Sequence, residues 1–103
     1  MKKKSLSSKQ ISYLRGLGHH LAPVAMIGQN GLTTEVLDSI KAVLTAHELI
    51  KIKIQNTASI ERHEAAESVA GQTGATLVQV IGGIVLLYKA NKDIRADKRI
   101  VLP

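Results

Sequence analysis

No cysteine occurs in the 103 residues of this chain. That absence removes disulfides, thiolate zinc sites, iron–sulfur clusters and cysteine nucleophiles at once. Aromatic residues make up only 2%, both of them tyrosine (Tyr13 and Tyr88), too few for the ring-bearing sheets of RRM or OB domains. No apolar run approaches the roughly 18–20 residues that cross a bilayer. The basic start Met1-Lys2-Lys3-Lys4-Ser5 is followed by no apolar h-region, which argues against a signal peptide and makes the cytoplasm the expected compartment.

A hydrophobic fraction of 45% is enough to fill a core, and the length suits one domain rather than two. The balance of 14 Lys+Arg against 8 Asp+Glu gives a net charge of +6 and a pI near 9.8. Such an excess points to a polyanionic partner.

Periodicity predicts seven elements. Ser7 or Ser8 caps a first helix ending near Gly18, with Ile11, Leu14 and Leu17 as its buried stripe and Gly16 and Gly18 weakening its last turn. Pro23–Ile27 reads as a short strand, stopped by Gly28-Gln29-Asn30-Gly31. Thr33 caps a second helix whose Val36, Leu37, Ile40, Val43 and Leu44 face a core, with Glu35 in its first turn. From Leu49 to Gln55, isoleucines alternate with Lys51, Lys53 and Gln55, a strand with one buried and one wet face.

A third helix is predicted over Thr57–Gln72, with Ile60, Ala66, Val69 and Ala70 as its apolar side and Gly74 as a left-handed cap. Strands over Ala75–Ile81 and Ile84–Ala90 are joined by Gly82-Gly83, whose glycines suit the positive φ angles of a tight hairpin. The expected fold is a single α/β domain in the order α-β-α-β-α-β-β. Two right-handed parallel crossovers and a closing hairpin that adds an antiparallel edge give a mixed four-stranded sheet with packed helices. The domain spans 7–90, between a basic arm at 1–6 and a basic tail at 91–103 in which Ile100-Val101-Leu102 offers an apolar anchor.

Nothing assembles a catalytic signature. Glu35, Asp38, Glu48, Glu61, Glu64 and Glu67 lie mostly on the second and third helices, where they read as solvated faces and caps. His19-His20 and His47 lack the spacing of a helical metal pair, and His63 with Glu67 reads as a surface pair. No enzyme, no metal and no cofactor is expected.

The informative loop is Gly28-Gln29-Asn30-Gly31. It feeds a helix N-terminus, whose unpaired N–H groups and dipole favour phosphate. By itself a G-x-x-G loop is a weak signal, more often an ordinary tight strand-to-helix turn than a binding loop. It carries no base, so positive charge must come from around it: Lys2, Lys3, Lys4, Lys9 and Arg15 before it, Lys51 and Lys53 on the wet strand face, and Lys89, Lys92, Arg95, Lys98 and Arg99 after the hairpin. Ordinary solubility is the alternative reading of Lys51 and Lys53, each taken singly. Acids on two helices and bases elsewhere nevertheless imply one basic face, of the kind that tracks phosphates.

Leu14-Arg15-Gly16-Leu17-Gly18-His19, Pro23 and Ile27-Gly28-Gln29-Asn30-Gly31-Leu32 together resemble the core of the CRM domain (chloroplast RNA splicing and ribosome maturation). The likeness continues through His47-Glu48-Leu49-Ile50-Lys51-Ile52-Lys53, Val78–Gly82 and Leu87-Tyr88-Lys89, and is nearest to the bacterial stand-alone, YhbY-like members. It implies a fold similar to the C-terminal domain of translation initiation factor three. It also implies RNA binding through the G-x-x-G loop (Gly28, Gln29, Asn30, Gly31), in the manner of the KH loop, supported by Lys9 and Arg15, with ribosomal RNA and the precursor large ribosomal subunit as partners. Many members carry a base within the loop, whereas Gln29 and Asn30 are neutral. His47-Glu48 is expected to end the second helix and steer the chain into the next strand. The expected function is non-enzymatic RNA binding in large-subunit assembly. The alternatives are a chaperone or splicing-type factor for other structured RNA, or a protein–protein adaptor docking through the hairpin edge.

Overall fold

Ser7 opens the first element. Its hydroxyl accepts the Gln10 N–H at 3.1 Å while the Gln10 side chain accepts the Ser7 N–H at 3.0 Å, a reciprocal cap that satisfies two orphan donors. Helix α1 then runs Ser8–Gly18, followed by strand β1 (Pro23–Ile27), helix α2 (Thr34–His47), strand β2 (Leu49–Ile54), helix α3 (Arg62–Thr73), strand β3 (Thr76–Ile81) and strand β4 (Ile84–Tyr88). The computed structural model describes residues 6–56, 61–95 and 97–103. The α-β-α-β-α-β-β order closes into one mixed sheet of four strands, β1-β2-β4-β3, the single α/β domain expected.

Strands β1 and β2 are parallel, and β4 runs antiparallel to both β2 and β3. The antiparallel strand is therefore interior, not the edge expected of a closing hairpin. The α3 connection sets β3 one strand beyond β2's neighbouring position, and the hairpin folds β4 back into that gap. Strands β1 and β3 are left as the edges.

Alternation along β2 divides the molecule into two layers. Ile50, Ile52 and Ile54 are buried under α2 and α3, with Ile27, Ile40, Leu44, Val69, Val85 and Leu87. Leu49 points the other way and joins Leu14 of α1, Val78, Leu86 and Tyr88. Ile100 and Leu102 of the tail pack on this second cluster, whereas Val101 is 77% exposed. Helix α3 shows a weak pattern in sequence because Ala65, Ala66 and Ala70 fill its buried side.

Several expectations are adjusted by packing. Leu17 is exposed, and Gly18 takes the buried place on α1, because a Cβ there would stand 2.6 Å from Leu86 Cδ2. Helix α3 begins at Arg62 rather than Thr57, since Glu61 is extended and its carboxylate accepts the Glu64 N–H at 2.9 Å as the cap. Thr57 to Ile60 lie outside the described residues. In the hairpin only Gly82 has a positive φ, of 56°. Gly83 is required for space instead: a Cβ would lie 2.7 Å from the Ile54 carbonyl oxygen.

Candidate nucleic-acid interface

The G-x-x-G loop leaves the buried end of β1 at Ile27. Gly31 donates its N–H to the Gly28 carbonyl at 3.0 Å and adopts φ 71°, a left-handed conformation that glycine takes without strain. This tight turn holds Gln29 and Asn30 exposed at its tip. Gly28 has no positive φ, but Gln55 leans over it, its Oε1 3.2 Å from where a Cβ would be. Helix α2 starts directly after, capped by the neutral hydroxyl of Thr33, which accepts the Val36 N–H at 3.2 Å.

Helix α3 begins differently. Its cap is the carboxylate of Glu61, whose pKa is lowered by the N–H of Glu64 and then by that of His63. The charge favoured at a helix N-terminus is thus already supplied at α3. At α2 the cap is uncharged, with Glu35 as the acid of the first turn.

Three further segments meet at this end of the sheet. Gln55 donates to Ile27 O at 2.9 Å, Ile54 donates to Gly83 O at 2.7 Å, and Arg62 donates to the Asn56 side chain. Arg62 Nε lies 3.9 Å from the Cβ position of Gly83. Arg62 is a base that the sequence reading missed; the Glu61 cap starts α3 at this residue and sets its guanidinium beside Asn56, just past the end of β2.

Lys51 and Lys53 occupy the face of β2 opposite Ile52, the same face that α1 partly covers. Lys53 is level with Met26 of β1 and Ile84 of β4. Lys51 shares a cleft of about 560 Å³ with Arg15 and His19 of α1. From Lys51 to Gln55 is four residues of extended chain, roughly 13 Å, so a line of positive charge runs from α1 towards the loop. Lys9 is not on it. Six residues along α1 from Arg15, it is turned about 120° round the helix and is exposed.

The bases after the hairpin do not complete one continuous face. Lys89 donates to Thr73 O at 2.9 Å at the C-terminus of α3. Arg95 pairs with Asp97 at 3.2 Å, and Arg99 lies 3.9 Å from Glu48. Lys89 and Glu48 sit at the end of the sheet opposite Gly83, because β4 runs from one to the other. Among the described residues no cluster of metal-ligating side chains occurs, and no helix is long and apolar enough to cross a membrane.

Comparison with known proteins decides the family. The profile of the CRS1/YhbY (CRM) domain matches residues 6–89. The chain belongs to the CRM domain family. An RNA-binding protein of Haemophilus influenzae is 41% identical over 91 residues, covering 88% of this chain and 92% of its own. The Bacillus subtilis protein YqeI, named a probable RNA-binding protein, is 34% identical over 98 residues, with 95% and 99% covered. The solution structure of Staphylococcus aureus SAV1595, for which RNA binding has been suggested, superposes with a TM-score of 0.79 at 33% identity, covering 96% of this chain and 100% of that one. This CRM chain is therefore placed in a non-enzymatic family, and its fold is that of a CRM domain.

Proposed function

We propose that this CRM protein binds structured RNA, and that its RNA is ribosomal, within the precursor of the large subunit in the cytoplasm. In this reading Gly28-Gln29-Asn30-Gly31 and the N-terminus of α2 grip a bend of the RNA backbone. Lys51, Lys53 and Arg15 neutralise the phosphates that follow, Arg62 supports the loop from the far side of Gln55, and Lys9 is an outlying contact. The observation that carries the proposal is the line of bases from Arg15 of α1 through Lys51 and Lys53 of β2 towards a loop that presents two neutral hydrogen-bonding side chains. Recognition by shape and phosphate position follows, since few side chains on this face can read base edges.

The test is RNA affinity against salt on a fragment of large-subunit ribosomal RNA, wild type beside Gln29→Asp/Asn30→Asp. A steep dependence, with a slope of roughly −0.7 to −0.9 per phosphate neutralised, and a large loss in the folded double variant is the expected result. An unchanged affinity in the variant would remove the loop from the interface. A flat, weak response in both proteins would favour an adaptor that docks on ribosomal proteins.

A further inference from the structure

Gly16 is a glycine without a structural reason. It lies inside α1, has no positive φ, and a Cβ on it would meet nothing within 4 Å. Glycine at such a position weakens a helix relative to alanine. Gly18, two residues on, is different, because Leu86 occupies the space its Cβ would need. The one thing Gly16 does is form part of the wall of the cleft between α1 and the open sheet face.

That cleft has a definite chemical character. Its volume, about 560 Å³, falls within the roughly 300–1,000 Å³ of small-ligand sites. The floor is apolar, made by Leu86, Ile84 and Ile81, and the rim carries the Gln79 amide, the Arg15 guanidinium and the Lys51 ammonium. No acidic residue lines it, and the ion pairs among the described residues engage neither Arg15 nor Lys51. A flat apolar body fits such a floor, an amide can exchange paired hydrogen bonds with the edge of a heterocycle, and two cations suit a phosphate.

We infer that this cleft is a subsite for one unpaired nucleotide of the bound RNA: its base lies on the isoleucine floor against the backbone of Gly16, its edge meets Gln79, and its phosphate meets Arg15 and Lys51. The inference rests on the RNA-binding reading and deepens it. Backbone recognition by the loop is indifferent to sequence, whereas a single splayed-out base held here gives the protein a preference for RNA with an unpaired position. Gly16 is then kept for the close approach of the ligand, at the expense of helix stability.

The probes are two RNA hairpins that differ only in one bulged nucleotide. Wild-type protein is expected to bind the bulged hairpin at least several-fold more tightly. Gly16→Leu, which replaces bare backbone in the cleft wall with a bulky side chain, should abolish that preference while leaving affinity for the fully paired hairpin within about twofold. Gly16→Ala serves as the second variant; it adds one methyl to a solvent-facing helix position, should raise the melting temperature, and should reduce the preference. Equal binding of both hairpins by the wild type, or a preference that survives in Gly16→Leu, overturns the subsite while leaving RNA binding in place. Failure of the wild type to bind either hairpin overturns the RNA-binding reading and the subsite with it.

Discussion

The Glu48 carboxylate accepts the backbone N–H of Ile100 at 2.7 Å, joining residues 52 positions apart. Its other oxygen accepts the Asn91 N–H at 2.8 Å, and its own carbonyl accepts the Lys89 N–H at 2.8 Å. Glu48 is 1% exposed and holds φ 59° as the residue that ends α2. One residue therefore terminates a helix with its backbone, leads into β2, and with its carboxylate fastens the tail that carries Ile100 and Leu102 onto the α1 layer. Glu48→Ala is expected to cost about 2–6 kcal/mol, since two partly buried N–H groups lose their acceptor at roughly 1–3 kcal/mol each. Urea unfolding measures the loss, and amide exchange should show residues 97–103 released first. Glu48→Gln, which keeps one acceptor oxygen, should fall between the two.

Two glycines of α1 should respond to the same substitution with opposite signs. Gly16→Ala adds a methyl in open space within a helix and should stabilise by about 0.5–1 kcal/mol. Gly18→Ala drives a Cβ into the buried Leu86 side chain and should destabilise by about 1–3 kcal/mol. Thermal melts of the two variants against wild type decide it. A stabilised Gly18→Ala would mean that α1 can lift off the sheet without loss.

Local chemistry made most elements legible before folding was considered. The caps at Ser7 and Thr33, the stop at Gly74 and the alternation of Ile50, Ile52 and Ile54 each depend on residues a few positions apart. What escaped the sequence depends on long-range placement. The interior position of β4 follows from which strand is left unpaired after two crossovers, and Gly83 owes its identity to the Ile54 carbonyl, far back in the chain. The carboxylate of Glu48 looked like any helix-end acid until the tail returned to it. At the interface, Lys51 and Lys53 were readable from period-two alternation alone. Arg62 was not, because it sits in a weakly patterned helix, and Lys89 reads as a free base although it caps α3.

The alkaline limb of stability should report on Tyr88. Its phenol pKa is raised above the ordinary tyrosine value by burial and then by the Glu48 carboxylate, with Arg99 opposing. The folded chain thus holds this proton more tightly than the unfolded chain. Its contribution is fully present below the unfolded pKa, near 10, and is lost as pH rises through the higher folded value. Tyr88→Phe should therefore flatten the decline in urea midpoint above about pH 10 while leaving the profile near neutrality unchanged in shape. An identical alkaline decline in the variant would show that phenol ionisation plays no part in it.

Charge removal separates the bases that face RNA from those that hold the fold. Lys51→Ala and Lys53→Ala each remove an ammonium from the open face of β2, and on the proposed interface each should lower the slope of log affinity against log salt by roughly 0.7–0.9, with little change in melting temperature. Lys9→Ala should lower it less, since α1 turns Lys9 away from the cleft shared by Arg15 and Lys51. Lys89→Ala should behave in the reverse manner. Its ammonium is bonded to the Thr73 carbonyl, so its removal leaves a helix end unsatisfied, costs about 1 kcal/mol of stability and barely alters the salt slope. If Lys89→Ala instead reduced the slope as much as Lys53→Ala, phosphate contacts would extend to the opposite end of the sheet, and the interface would be a whole basic face rather than a path leading to one loop.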